Sequence, residues 1–362
     1  MNKNKKFTYW LIILLSCFVC VHLILWQFTK KVYPNNHVVG DLARMSYKFD
    51  LINLRNNIDT LEKKHINFKE YENEEVDVIT IGDSFSNGAG GGENRYYQDY
   101  ISSKFDFKVL NIPDISDKNN YIDSILLLLN SDFFDKVKPK YIILECVQRN
   151  VHLNIGLEKL NSNYSYVGNI FGKIKKTKDI FNSHNKYKDN ISFINNLNYN
   201  LVKYNLKFYL NGYGRYKNYY IEKLNKNMFS SEVQDELMFF RDDIDFIKYQ
   251  SKNDIIKLNS RMNELARLLK EKGIVLYFMP AVDKYNLYRD NLVNKDNYPK
   301  SLFFEYLRNL DKDYIFIDTK KILLEELNKS NVLDLYHSDD THWNTKARKL
   351  IVDNLDFNNE GN

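Results

Sequence analysis

Two short stretches at opposite ends of the chain carry residue types that together could perform acyl transfer: Gly82-Asp83-Ser84-Phe85-Ser86 and Asp339-Asp340-Thr341-His342-Trp343-Asn344. A serine hydroxyl is a weak nucleophile at neutral pH. It needs an imidazole to accept its proton, and the imidazole needs a carboxylate that fixes its tautomer and offsets its developing charge. Ser84, His342 and either Asp339 or Asp340 supply those three parts, in the chain order Ser, Asp, His. Taken alone, Asp83-Ser84 would serve equally well as the cap of a following helix, and the Asp-x-His stretch as a solvated acidic loop. Each stretch gives the other its weight.

Chemistry of this kind must be held by a scaffold, and the flanking sequence describes one. Residues 77–81 read as a short buried strand, because β-branched apolar residues dominate and Gly82 ends the run. That places Ser84 at the carboxyl end of a strand, where open α/β sheets keep their ligands. Further strand-like runs occupy residues 107–112, 141–144, 274–279 and 314–318. Helix-like runs separate them, notably 121–129 and 254–272, the latter with Ile255, Ile256, Leu258, Met262, Leu265 and Leu268 at near-helical spacing; a further one follows His342 at 345–355. The alternation predicts an α/β domain over residues 75–355: a parallel sheet with helices on both faces and the first strand central.

The first thirty residues predict where that domain is held. Three Lys lie within residues 1–6, and residues 8–28 carry no charge and are long enough to span a bilayer as a helix. Trp10 and Trp26 stand near its ends, as interfacial anchors do. Because Trp26-Gln27-Phe28-Thr29 lacks the small-residue exit of a cleavable leader, an uncleaved anchor is expected. The expected order is therefore a cytoplasmic tail (1–7), a transmembrane signal anchor (8–28), a membrane-proximal helical linker (29–74), the catalytic domain (75–355) and a short tail (356–362). The three leading Lys against Lys30 and Lys31 favour an inside N-terminus with the domain outside the cytoplasm.

Composition excludes several alternatives. The formal net charge of +5 is accounted for by the Lys residues at positions 3, 5, 6, 30 and 31, with no Asp or Glu in residues 1–31, so the rest of the chain is balanced. A nucleic-acid partner, which needs a basic excess, is not expected. Neither a metal nor a cofactor is expected, since zinc-spaced Cys and His and a phosphate loop are both lacking. Cys17 and Cys20 fall in the apolar span, which leaves Cys146 alone in the domain.

The Gly-Asp-Ser start and the Asp-His finish resemble the SGNH (GDSL) superfamily of esterases and acyltransferases. The Trp343-Asn344 that follows His342 is similar to its DHHW branch, which includes the alginate O-acetyltransferases of the bacterial periplasm. Tyr277-Phe278-Met279-Pro280-Ala281-Val282-Asp283-Lys284-Tyr285-Asn286-Leu287-Tyr288 also looks like that branch. The resemblance implies a flavodoxin-like SGNH fold. It departs at the oxyanion hole: the usual Gly after the second strand is replaced by Pro113-Asp114-Ile115-Ser116, and the usual Gly-x-Asn after the third by Glu145-Cys146-Val147-Gln148-Arg149-Asn150. Backbone N–H groups at Ser84 and near Ser116, with a side chain from Gln148, Arg149 or Asn150, are the candidate donors. The wider superfamily places its acid three residues before the His, which picks Asp339. The DHHW branch places it two before, which picks Asp340, and Trp343 favours the latter.

Residues 145–273 are too many for a simple crossover, and a mostly helical insertion is expected over about 151–250. It is rich in Asn, Lys and Tyr, with Tyr204, Tyr209, Tyr213, Tyr216, Tyr219 and Tyr220 close together. They suit either a glycan-binding lid or packing against the core. The glycines of residues 88–92 read as a flexible loop bordering the site. The function this implies is a membrane-anchored serine O-acyltransferase, O-acetyl by resemblance, that passes an acyl group to an extracytoplasmic polysaccharide, its donor delivered by a membrane-embedded acyltransferase. Lys284, Tyr288 and the 88–92 loop are the expected acceptor surface. An esterase or deacetylase of the same fold and a catalytically idle glycan-assembly scaffold are the alternatives.

Overall fold

A computed structural model of the chain describes residues 2–32, 40–46, 55, 57, 59–177, 203, 206, 207, 209–211 and 218–357. Residues Lys3–Val32 form one helix. Its stretch Lys3–Trp26, 24 residues with a hydropathy of 2.3, is long and apolar enough to cross a membrane. At about 1.5 Å per residue it reaches about 36 Å, against a hydrocarbon core of about 30 Å. Leu11, Leu14, Leu15, Phe18 and Ile24 are exposed on it.

Among the described residues eight strands follow: β1 (Ile66–Asn67), β2 (Val78–Ile81), β3 (Val109–Ile112), β4 (Tyr141–Val147), β5 (Tyr219–Lys223), β6 (Glu236–Phe240), β7 (Val275–Ala281) and β8 (Ile315–Phe316). Six of them make one sheet in the order β1-β3-β2-β4-β7-β8, and every pairing in it is parallel. Apart from β1 at the edge, this is the second-first-third-fourth-fifth order of a doubly wound sheet, whose ligand crevice opens where the strand order reverses, beside the first strand. That strand is β2, and it lies between β3 and β4 as expected. All of β2 and β3 is buried, which accounts for their unbroken apolar sequences. The five expected strands are all present. β4 runs on to Val147 because Glu145, Cys146 and Val147 pair with Met279, Pro280 and Ala281.

Helix Tyr97–Phe105 packs on Thr345–Asp353, which packs on Thr319–Leu327, while Lys252–Lys270 packs on Phe303–Arg308 and on β7. Helix Lys252–Lys270 opens on a capping box between Ser251 and Asp254 and buries Ile255, Leu258, Met262, Leu265 and Leu269. Ile256 instead lies on its outer side, 44% exposed. At its end Gly273 takes φ +74°, the left-handed geometry that stops a helix.

Two expectations need correcting. The insertion is not mostly helical among its described residues. β5 and β6 form an antiparallel hairpin, in which the Tyr220 ring packs against Phe239 and Tyr298. Tyr209 is exposed, and Tyr204, Tyr213 and Tyr216 lie outside the described residues. The linker is also not simply helical. Helix Asp41–Ser46 is followed by β1, which adds an edge to the sheet through Ile66↔Leu110 and Asn67↔Asn111. A two-residue strand carries too little periodicity to be seen in sequence.

Candidate active site

The turn after β2 is stapled to β4. Gly82 is required there: a Cβ at this position would lie 2.3 Å from Ser86 Oγ and 2.5 Å from Glu145 Oε2. Glu145 Oε2 accepts the Asp83 N–H at 3.1 Å, the Ser86 N–H at 3.2 Å and the Ser86 hydroxyl at 2.8 Å. Asp83 answers from the other side, accepting the Phe85 N–H at 3.0 Å and the Val147 N–H at 2.7 Å. The two residues therefore cap no helix and instead clamp the loop that presents Ser84. Burial, and then the neighbouring Asp83, push the Glu145 carboxyl well above the usual carboxylate range.

The second stretch is brought directly onto that loop. His342 Nε2 lies 2.6 Å from Ser84 Oγ, and His342 Nδ1 lies 2.5 Å from Asp340 Oδ1. Asp340 Oδ1 also accepts the His342 backbone N–H at 2.9 Å, so one oxygen fixes both the loop and the ring. Burial opposes ionisation of Asp340, yet His342, by charge and hydrogen bond, and then Arg55 and His337 hold its carboxyl well below the ordinary range. The Phe85 ring stands 4.6 Å from that of His342 and is met edge-on by Trp343 at 4.8 Å. Trp343, fully buried, thus backs the imidazole through Phe85.

Asp339 has a different task. Its Oδ1 accepts from Arg55 Nη2 at 2.8 Å and its Oδ2 from the Gly40 N–H at 2.9 Å, both buried. It holds the loop without touching His342. Lys284, placed by sequence on the acceptor surface, is wholly buried and donates from Nζ to the carbonyls of His337 at 2.7 Å, Ser338 at 2.9 Å and Asp340 at 3.1 Å. Burial lowers its pKa to about 8. Tyr288 is also fully buried, against Phe229 and Tyr336. Neither side chain reaches a surface where an acceptor could bind.

The candidate oxyanion donors divide in the same way. The Ser116 N–H is committed to Asp114 Oδ1 and Ser124 Oγ, both at 3.0 Å. Gln148 is spent on Gln250, Ser301, Asn286 and the Asp283 N–H. Arg149 is paired, buried, with Asp243 at 3.2 Å and Asp283 at 2.9 Å. Asn150 is half-buried, and among the described residues its side chain makes no hydrogen bond; the Ser84 N–H likewise makes none. These two remain as donors at the carboxyl ends of β2 and β4.

The loop of residues 88–92 is not loose. Gly88, Gly90, Gly91 and Gly92 all have positive φ, the Gly90 carbonyl accepts Arg55 Nε at 2.7 Å and the Ala89 carbonyl accepts Arg348 Nη2 at 3.0 Å. A Cβ on Gly90 would lie 3.1 Å from the His342 Cβ and 3.2 Å from the His337 ring. His337 is buried beneath it, and burial, then Arg55 and Arg348, hold its imidazole well below the usual range.

Sequence reasoning overlooked Gly40, Asp41, Arg55 and Glu145. An acid within the buried run 141–147 was a legible signal for Glu145. Asp41 and Arg55 lie far from the motifs in a stretch without periodicity, and nothing local marks them. Asp41 Oδ1 accepts the Thr341 N–H at 2.9 Å and its Oδ2 accepts the Thr341 hydroxyl at 2.7 Å. Asp41, Asp340 and His342 bring one donor atom each within 4.8 Å of one another, the one group of this kind among the described residues that could hold a metal ion. Their carboxylate oxygens already accept protein N–H and O–H groups. The set therefore fits a hydrogen-bonded Asp-Asp-His cluster better than a cation site. Comparison of the chain with protein-family models, with curated proteins and with solved structures finds no match.

Proposed function

We propose that this protein is a membrane-anchored serine O-acyltransferase of SGNH type that modifies an extracytoplasmic polysaccharide, acetyl being the group its sequence resemblance implies. The observation that carries the serine chemistry is the continuous relay from Ser84 Oγ through His342 to Asp340, at 2.6 and 2.5 Å, at the reversal point of a doubly wound sheet. In this reaction Ser84 Oγ attacks the donor's acyl carbonyl while His342 Nε2 takes its proton. Asp340 holds the Nδ1–H and offsets the imidazolium. The Ser84 N–H and Asn150 side chain are the donors left for the oxyanion. Collapse expels the donor's leaving group with the proton from Nε2 and leaves acyl-Ser84. Then Nε2 deprotonates a sugar hydroxyl, whose oxygen takes the acyl group as the bond to Ser84 Oγ breaks, and the proton on Nε2 passes to Ser84 Oγ.

The apolar helix Lys3–Trp26 supports attachment to a membrane, and the Lys excess before it supports a translocated domain. Such a position would set Ser84 beside a membrane-embedded partner that delivers the acyl group. The test uses the full-length protein in detergent with 4-nitrophenyl acetate. Mass spectrometry should find acyl-Ser84 in the wild type and none in Ser84→Ala or His342→Ala, because removing either disables the unit. Added oligosaccharide should accelerate turnover and acquire the acyl group. Native-level turnover in Ser84→Ala would refute the serine mechanism, and discharge to water alone, whatever glycan is offered, would make the protein an esterase.

A further inference from the structure

The chain between the apolar helix and the sheet reaches into the site itself. The Asp41 N–H donates to Asp340 Oδ2 at 3.0 Å, the Gly40 N–H to Asp339 Oδ2 at 2.9 Å and the Ala43 N–H to the Asp339 carbonyl at 3.0 Å. Thr341 returns two bonds to the Asp41 carboxylate, from its N–H and its hydroxyl. The approach is close: a Cβ on Gly40 would fall 2.1 Å from the Asp339 carbonyl oxygen. Leu42, wholly buried, packs on Met238 of the β5–β6 hairpin, so the segment is seated between that hairpin and the His342 loop. Asp41 Oδ2 stands 3.9 Å from His342 Nδ1, the nitrogen that Asp340 already serves.

We propose that residues 40–43 are a built part of the catalytic site, in which Asp41 is a positioning residue: it fixes the Asp340–Thr341 peptide and the Thr341 hydroxyl, and through them the loop that carries His342. The inference rests on the serine chemistry proposed above. Seven residues separate Gly40 from the end of helix Lys3–Val32, so the stretch of chain that leaves the apolar helix also holds the catalytic base. The site is complete only while this segment is seated. The ionisable groups around His342 are Asp340 and Asp41 at Nδ1, Arg55 behind Asp340, the buried His337 and Arg348, and Lys284 on the Asp340 carbonyl. Of these, the test alters Asp41 alone.

The experiment follows labelling of Ser84 by a fluorophosphonate over a concentration series, in full-length protein in detergent, so that reagent binding and the maximal labelling rate are read separately. An asparagine at position 41 still accepts the Thr341 N–H and can donate to the Thr341 hydroxyl, so Asp41→Asn removes charge and keeps shape. It should therefore label within a few-fold of the wild type, because both contacts to Thr341 are kept. Asp41→Ala, which also frees the loop, should lose about 10²-fold in labelling rate. Asp41→Ala labelling at the wild-type maximal rate, or Asp41→Asn falling as far as Asp41→Ala, overturns the inference. So does a lowered melting temperature in Asp41→Ala with an unchanged maximal labelling rate, which would mark a merely structural contact. An unlabelled wild-type Ser84 would overturn the serine chemistry and this inference with it, whereas a labelled wild type with an unchanged rate in Asp41→Ala overturns this inference alone.

Discussion

Asp340→Asn tests the relay most sharply, because the surroundings of Asp340 leave an asparagine no good orientation. Oδ1 receives two donors, the His342 N–H and Nδ1, while Oδ2 receives the Asp41 N–H. If the amide oxygen faces His342, the tautomer survives but the amide NH₂ is set against the Asp41 N–H. If it is turned over, the NH₂ is set against the His342 N–H and Nδ1 must become an acceptor, so that Nε2 carries the proton and cannot take one from Ser84. Either way the imidazolium loses its counter-charge. Replacing a charged hydrogen bond costs about 1.5–3 kcal/mol and opposing two buried donors about 1–3 kcal/mol more. Together these predict a loss of about 10²- to 10⁴-fold in the rate of Ser84 acylation, approaching the upper limit if the wrong tautomer dominates. The burst of 4-nitrophenol from full-length protein in detergent reads this rate directly. Asp339→Asn weakens the link to Arg55 but touches neither nitrogen of His342, so its effect should be smaller. An Asp340→Asn protein that melts like the wild type and acylates within a few-fold of it would refute the reasoning; a larger loss in Asp339→Asn would move the relay to that residue.

Two further outcomes follow from groups that sequence placed elsewhere or overlooked. Lys284→Met keeps the bulk of the stem but strips the donor from three buried carbonyls of the His342 loop; thermal melts should show a loss of about 3 kcal/mol or more, with acylation falling in parallel, and an unchanged melt would show that the lysine holds nothing. For Glu145, whose folded pKa is raised, the native state binds the proton more tightly than the unfolded one. Wild-type stability should therefore fall as pH rises above the usual carboxylate range, by up to about 1.4 kcal/mol per pH unit. Glu145→Gln should lack that slope, so that its stability relative to the wild type improves from acid toward neutral pH; parallel slopes in the two proteins would contradict a neutral Glu145.

The strands and the residues of the relay were legible because their signals are local. Unbroken apolar runs such as residues 78–81 mark strands buried on both faces, and the Gly82-Asp83-Ser84 and Asp340-Thr341-His342 stretches each hold their chemistry within a few residues. The choice between Asp339 and Asp340 was narrowed by resemblance alone, since both lie a short turn from His342; the contact of Asp340 Oδ1 with Nδ1 and of Asp339 with Arg55 distinguishes their positions. Lys284 and Tyr288 seemed suited to an acceptor because both residue types are common on surfaces, and only packing shows them buried. Gly88, Gly90, Gly91 and Gly92 look flexible one residue at a time, but Arg55 and Arg348 bind the loop from elements far along the chain. Asp41 and Arg55 were out of reach for the same reason. Hydrogen bonds spanning roughly 300 residues, such as Thr341 to Asp41, leave no periodicity and no motif, so the sequence determines which groups can do chemistry while the folded chain decides which of them meet.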